Sequence, residues 1–311
     1  MTDDRAPALC VLAPDPLLAV EIEEGRAGGG PEIHVHLGGQ GLWLARMAYS
    51  LGARVVVCGP FGGEVGDITA HLARSAELEL RTTGTAGAGA LVQDRRSGEP
   101  EEIATMHAQP LDRHGLDDLY GTTLVTALES DVCVLTGSRS DIGVPGDFYG
   151  RLVADLRASD RPIVADLSGE PARAVVEAGC TVLKISHDEM VEGGFAKSAE
   201  LDDLRGAARA MVGEGPAAVV VSRADEPTLV VSGDGDFLVI APPMTTVDHR
   251  GAGDSMTAGI AVGVGRGVPL PQAVALGAAA GALNVARHGL GTGRREQIEA
   301  FAERVTVEGL S

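Results

Sequence analysis

PIVADLSGEPARAVVEAGCTVLKIS, residues 162–186, holds two continuous apolar runs, 162–169 and 181–186, on either side of an amphipathic segment at 170–178. A run without polar alternation suits a strand covered on both faces, and strand, helix and strand in succession make a parallel crossover unit. The alternation continues outward. RVVVCG (54–59), DVCVLTG (131–137) and AAVVVS (217–222) read as further buried strands. Helices fit between and after them, at 40–51, 64–75, 114–129, 147–158, 200–213, 253–265 and about 270–287. The expected fold is α/β: one doubly wound, mainly parallel sheet flanked by helices.

Two regions depart from this pattern. LLAVEIE (17–23) with EIHVHL (32–37), and GALVQD (89–94) with EEIATM (101–106), alternate apolar and polar residues as one-sided strands do. They are expected to pair into a small β-sheet lid, formed by about 17–37 and 88–106, over the carboxyl ends of the main strands, where open α/β folds bind ligands. TTGTAGAGA (82–90) is the nearest thing to a hinge. The reading is therefore one domain over residues 1–311 with the lid inserted in its core.

Lys and Arg number 25 against 44 Asp and Glu, a net charge of −19, which argues against nucleic acid or an anionic membrane as the partner. An anionic substrate would need a locally positive pocket. Cys10, Cys58, Cys133 and Cys180 each sit in a short apolar run with no CxxC spacing, as core cysteines of a reducing compartment do. No apolar stretch approaches the ~18 residues of a membrane helix, and the start MTDDRAPAL lacks a basic segment and an apolar signal core. A cytoplasmic location is expected.

The chemistry concentrates in TTVDHRGAGDSMTAGIAVGVGRG (245–267), where Gly251-Ala252-Gly253 leads into an apolar helix near Asp254. Small residues at a helix start let several backbone N–H groups point outward together, and the helix dipole adds positive charge, so the turn can hold a phosphate or a transferring phosphoryl group. Asp254 stands at the rim, as a helix cap or as a base that takes a proton from an attacking hydroxyl. A second cluster, HLGGQGLWLARMAYSLGA (36–53), opens a helix through Gly38, Gly39 and Gly41.

Together these stretches resemble the PfkB/ribokinase family of sugar kinases, and within it the branch that phosphorylates hexose phosphates, as 1-phosphofructokinase and tagatose-6-phosphate kinase do. Asp248 to Met256 (DHRGAGDSM) is similar to the family's D-T-x-G-A-G-D signature, and the GGQG cluster to its G-G-K-G-x-N-x-A signature. Gly137-Ser138, Asp166 to Gly169, Lys184 to Glu189 and Ser222 to Ala224 resemble its smaller motifs. The resemblance spans nearly the whole chain. It implies a ribokinase-like fold, ATP as donor, magnesium as helper, a sugar or sugar phosphate as substrate, and pairing of two copies through the lid. In some relatives a monovalent cation sits behind the anion hole.

Residue by residue, the resemblance makes Asp254 the base and gives the amides of Gly251, Ala252 and Gly253 the transferring phosphoryl group. Lys184, Ser222, Arg223 and Ala224 would lie along the nucleotide, Asn284 would border the adenine, and Glu189 would orient magnesium through water. Apart from the family, Lys184 is a strand end, Glu189 a solvated helix residue and Asn284 a turn cap. Asp15, Gly38, Gly39, Gln40, Trp43, Arg95 and Arg139 are the sugar-side candidates.

Several positions depart from the signatures. Gln40 stands where phosphosugar members carry lysine, Trp43 replaces an asparagine, Leu17 stands where an aspartate grips sugar hydroxyls, and Ser186 replaces the asparagine of N-x-x-E. Asp15 is then the nearby acid, and Arg95, Arg96 and Arg139 are the cations able to form a bidentate phosphate clamp. Arg95 and Arg96 read more readily as a solvated turn, and Trp43 equally as core or as a stacking face for a sugar. His34 and His36 share one face of a strand, a spacing open to zinc, to a ligand or to a second subunit. The leading reading is transfer of the ATP γ-phosphoryl group to a hydroxyl of a hexose or hexose phosphate. A nucleoside kinase of the same fold and a drifted sugar-binding regulator are the rivals.

Overall fold

Alternate residues of the central strands enter two different helical layers. The computed structural model describes residues 6–25, 29–84, 87–98, 100–138, 144–245, 249–286 and 291–310. In β1 (Ala8–Leu12), Leu9 and Val11 join one hydrophobic core, while Cys10 and Leu12 join the other. Every residue of β8 (Val132–Thr136) and β9 (Ile163–Asp166) is buried. The first core is completed by α1 (Gln40–Ser50), α8 (Ala252–Gly265) and α9 (Leu270–Val285), the second by α4 (Gly146–Arg157), α5 (Gly169–Ala178) and α7 (Leu201–Glu214).

With β4 (Arg54–Gly59), β5 (Glu79–Thr82), β10 (Val182–Ser186), β11 (Ala218–Arg223), β12 (Glu226–Ser232), β13 (Gly235–Ile240) and β14 (Thr306–Leu310), these strands form a ten-stranded sheet in the order β14-β13-β12-β11-β10-β9-β8-β1-β4-β5. Pairing from β5 to β11 is parallel; β12, β13 and β14 extend the edge antiparallel. A second sheet, β3-β2-β6-β7, is made of β2 (Leu17–Glu23), β3 (Glu32–Gly38), β6 (Gly89–Asp94) and β7 (Glu101–Met106). The two insertions meet where β2 pairs parallel with β6, so the lid is one sheet, as expected.

The lid has unlike faces. Direct pairing puts Val20 opposite Val35 and Ile22 opposite Ile33, whereas Glu21 lies opposite His34 and Ala19 opposite His36. The second face turns toward the core, since Glu21 is only 7% exposed.

Helices α8 and α9 lie almost in backbone contact, because a Cβ on Gly259 would stand 2.6 Å from the Gly277 Cα. The start of α8 meets the ends of β9 and β10 where Thr257 bonds Asp166 and Gly253 stands over Lys184. The sequence reading places the parallel strands and helices within a few residues of where they form. It misses β5, β12, β13 and β14, the short helices at 187–192 and 295–302, and also β1, whose apolar run it notes only for a cysteine. All four cysteines are free and buried. Among the described residues no helix is long and apolar enough to cross a membrane.

Candidate active site

The first turn of α8 is capped by backbone alone. Gly251 is its N-cap, at φ 68° in the left-handed region that glycine enters without strain, and no side chain accepts from the turn as a cap. Helix starts normally spend a side-chain oxygen on those N–H groups. Here, as at α1, α4, α5, α7 and α9, no side chain takes them. Asp254 is the third helical residue rather than the cap, so the capping role is taken by Gly251.

The loop before this turn is braced from the core. Asn284, 1% exposed, donates from Nδ2 to the Arg250 carbonyl at 2.8 Å and accepts the Gly291 N–H on Oδ1 at 3.0 Å. Both ends of its amide are engaged by backbone, and it does not line the cavity. It braces this loop from the core.

Lys184 lies directly under Gly253, where an added Cβ would stand 2.8 Å from Nζ. It pairs with Asp166 Oδ1 at 3.2 Å, and Asp166 Oδ2 accepts from the Thr257 hydroxyl at 2.6 Å. Burial alone would lower the lysine pKa, but Asp166, Glu189 and Asp254 together raise it, so the ammonium stays charged. One cation is held beneath a ring of backbone donors. In Ser186, the asparagine replacement accepts the Glu189 N–H at 3.2 Å while Glu189 accepts the Ser186 N–H at 2.8 Å, a capping box that fixes Glu189 at the start of α6 (His187–Glu192).

These groups open into a cavity of about 590 Å³ at the carboxyl ends of β9, β10 and β11. Its polar end holds Gln40, Asp166, Lys184, Glu189, Gly253 and Asp254. Its apolar end is a slot between Val239, Pro242 and Met244 on one side and Ala278, Ala282 and Val285 on the other. None of these apolar residues was singled out in the sequence, although Pro242-Pro243 directly after a strand is a rigid-turn signal. Ser222 and Ala224 line the cavity at the turn after β11, as does His249 from the signature. Arg223 does not. Its guanidinium donates to the Pro227 carbonyl at 3.3 Å, so it braces the turn.

A charged anion hole, a carboxylate at its rim and an apolar slot beside it are the parts of a nucleotide-dependent phosphotransferase. The model of the pfkB family carbohydrate kinases matches residues 17–297. The chain belongs to that family. It is a sugar kinase, a phosphotransferase acting on a sugar hydroxyl, with small-molecule sugars as its class of substrate, and the family uses ATP and a divalent cation. An ATP-dependent 6-phosphofructokinase isozyme 2 of Mycobacterium tuberculosis (strain H37Rv) is 29% identical over 276 residues, covering 86% of this chain and 79% of that protein. A 1-phosphofructokinase of Bacillus subtilis is 24% identical over 271 residues, 87% of this chain and 86% of that one. The crystal structure of phosphofructokinase-2 from Escherichia coli in complex with potassium superposes with a TM-score of 0.82 at 22% identity, over 96% of this chain and 98% of that one.

On the sugar side of this pfkB kinase the expected residues divide. Asp15, Gly38, Gly39 and Gln40 come together. A Cβ on Gly39 would stand 2.6 Å from the Asp15 carbonyl oxygen, and Gly39 has φ 91°, so glycine is required where the turn after β1 meets the start of α1. Gln40 accepts the Gly137 N–H at 3.0 Å and donates to the Asp166 carbonyl at 3.4 Å, tying α1 to the ends of β8 and β9. Trp43 is half-buried outside the cavity, its indole N–H donating to the Leu37 carbonyl of β3 at 2.7 Å. Arg95 pairs with Glu21 at 3.3 Å and is mostly buried, whereas Arg96 stands exposed on its turn beside Asp94. His34 and His36 stack with ring centroids 5.9 Å apart, each near lid glutamates; no group of three or more metal-ligating side chains occurs among the described residues. Arg139 and Asp248 lie outside the described residues.

Proposed function

We propose that this kinase transfers the γ-phosphoryl group of ATP to a hydroxyl of a hexose or hexose phosphate, with Asp254 as the base. The single observation that supports it most is the uncapped start of α8, with Asp254 at its rim and Lys184 beneath it, in one cavity. Asp254 takes the proton as the sugar oxygen bonds to the γ-phosphorus, and the bond from phosphorus to the β-phosphate oxygen breaks to release ADP. The amides of Gly251, Ala252 and Gly253 face the charge that develops on the transferring group, and Lys184 holds positive charge under it.

The cavity suits the nucleotide by size, within the range of about 300–1,000 Å³ for small-ligand pockets. Its apolar slot fits a base; Ser222 and Ala224 flank the ribose side. Glu189 and neighbouring carboxylates are hard oxygen donors that fit magnesium, directly or through water. Bound there, the metal would neutralise phosphate charge. Asp15, Gly38, Gly39 and Gln40 would hold the sugar at the other end. A monovalent cation behind the anion hole belongs to the same reading.

The lid's outer face supports pairing with a second copy: Ile33 is 68%, Val35 44% and Met106 47% exposed. Four buried, unpaired cysteines fit a reducing cytoplasm. A coupled ADP-release assay with Mg-ATP over free sugars, sugar phosphates and nucleosides tests the proposal, with sedimentation measured alongside. A single sugar or sugar phosphate giving turnover is the expected result. Turnover on nucleosides alone, or ATP binding with silence across the panel, would contradict it.

A further inference from the structure

We infer that Glu21, on the lid, is a positioning residue for phosphoryl transfer: through Arg250 it holds the loop that opens the anion hole, which is complete only while the lid is down. This rests on the reading of the α8 start as the phosphoryl site. Glu21 Oε1 accepts from Arg250 Nη1 at 2.8 Å and from Arg95 Nη1 at 3.3 Å, and Gln93 Oε1 of β6 lies 3.4 Å from the same Arg250 nitrogen. His36 Nε2 stands 3.9 Å from Glu21 Oε2. Arg250 and Glu21 are 229 residues apart, so the contact exists only where lid and core meet.

The mechanical link is the peptide between Arg250 and Gly251. A trans peptide is planar, so its carbonyl and the following N–H are rigidly antiparallel. Asn284 holds the Arg250 carbonyl from the core at 2.8 Å, and Glu21 holds the Arg250 side chain from the lid. The residue whose peptide sets the first donor of the hole is therefore gripped from both sides. Glu21 is 9% exposed at its side chain, and without its carboxylate the guanidinium groups of Arg95 and Arg250 would face each other with like charge. Lid opening has the same local effect. The anion hole would then loosen whenever the sugar site is open to water, which ties phosphoryl transfer to a covered substrate.

The test is a double-mutant cycle in the full chain with Glu21→Gln, Arg250→Gln and both together. It follows kcat and sugar KM, ATP affinity by calorimetry, and folding by circular dichroism. Each single change is expected to lower kcat by about tenfold or more with ATP affinity unchanged, the size of effect that small misplacements of reacting groups produce. The double variant should be no worse than the poorer single one. Effects that multiply, or a raised sugar KM at unchanged kcat, would overturn the inference, the latter making Glu21 a direct sugar contact. If Glu21→Gln does not fold, Glu21→Asp keeps the charge but shortens the reach by one methylene, and the same loss of kcat is expected. Asp254→Asn in the same assay separates the two levels. Should it retain turnover, the phosphoryl-site reading falls; should it be inactive while Glu21→Gln keeps full kcat, only the lid coupling falls.

Discussion

The start of α8 and the region under the lid are built from different materials. The first uses backbone amides, small residues and one buried ion group, so its residue types are fixed by steric fit: a side chain at Gly253 would strike Lys184, and Gly251 sits at positive φ. The second relies on long side chains that tie the lid and α1 to backbone and to one shared carboxylate. Gln40 grips two backbone groups, Trp43 a lid carbonyl, and Arg95 and Arg250 share one carboxylate. One end is therefore set by backbone geometry, and the other by long side chains, most of whose partners lie far away in sequence.

This contrast breaks first at Lys184. Lys184→Met would leave Asp166, 2% exposed, with only the Thr257 hydroxyl among its named side-chain partners, and loss of one member of a buried pair costs about 3–5 kcal/mol. Denaturant unfolding should show that loss together with collapse of turnover; an unchanged midpoint would mean the pair is not a structural unit. At the sugar end, Gln40→Ala removes two hydrogen bonds of about 0.5–1.5 kcal/mol each. The expectation is a higher sugar KM with an unchanged KM for Mg-ATP, and a shift in the nucleotide constant instead would erase the distinction between the ends. The smallest effect is at the turn after β11, where Ala224 has φ 49°. Ala224→Gly relieves left-handed strain and should stabilise by about 0.5–1 kcal/mol in thermal melts.

The same contrast explains what was legible in the sequence. RVVVCG (54–59) spans β4 without adjustment, because its apolar run lies between Arg54 and Gly59, which mark its ends. The lid strands were readable for a different reason, an alternation clearest in EIHVHLG of β3. The antiparallel extension was not, since EPTLVVS and GDFLVI mix both patterns within short strands, although Gly233-Asp234-Gly235 between them is a turn signal. In the site, the glycine signature and Asp254 could be read locally. Asn284 could not, because its role depends on Arg250, 34 residues away. Nor could Arg95, whose partner Glu21 is 74 residues distant. Local sequence carries backbone geometry, and tertiary pairing decides what a long side chain does.

The central claim is that Asp254, at the rim of an uncapped helix start, is the base for phosphoryl transfer. The measurement that meets it most directly is turnover of Asp254→Asn with the substrate found in the panel, alongside calorimetric Mg-ATP affinity. A loss of about 10²–10⁴ in kcat with ATP still bound is predicted, the range for a positioned general base. Near-normal turnover by the variant would contradict the account.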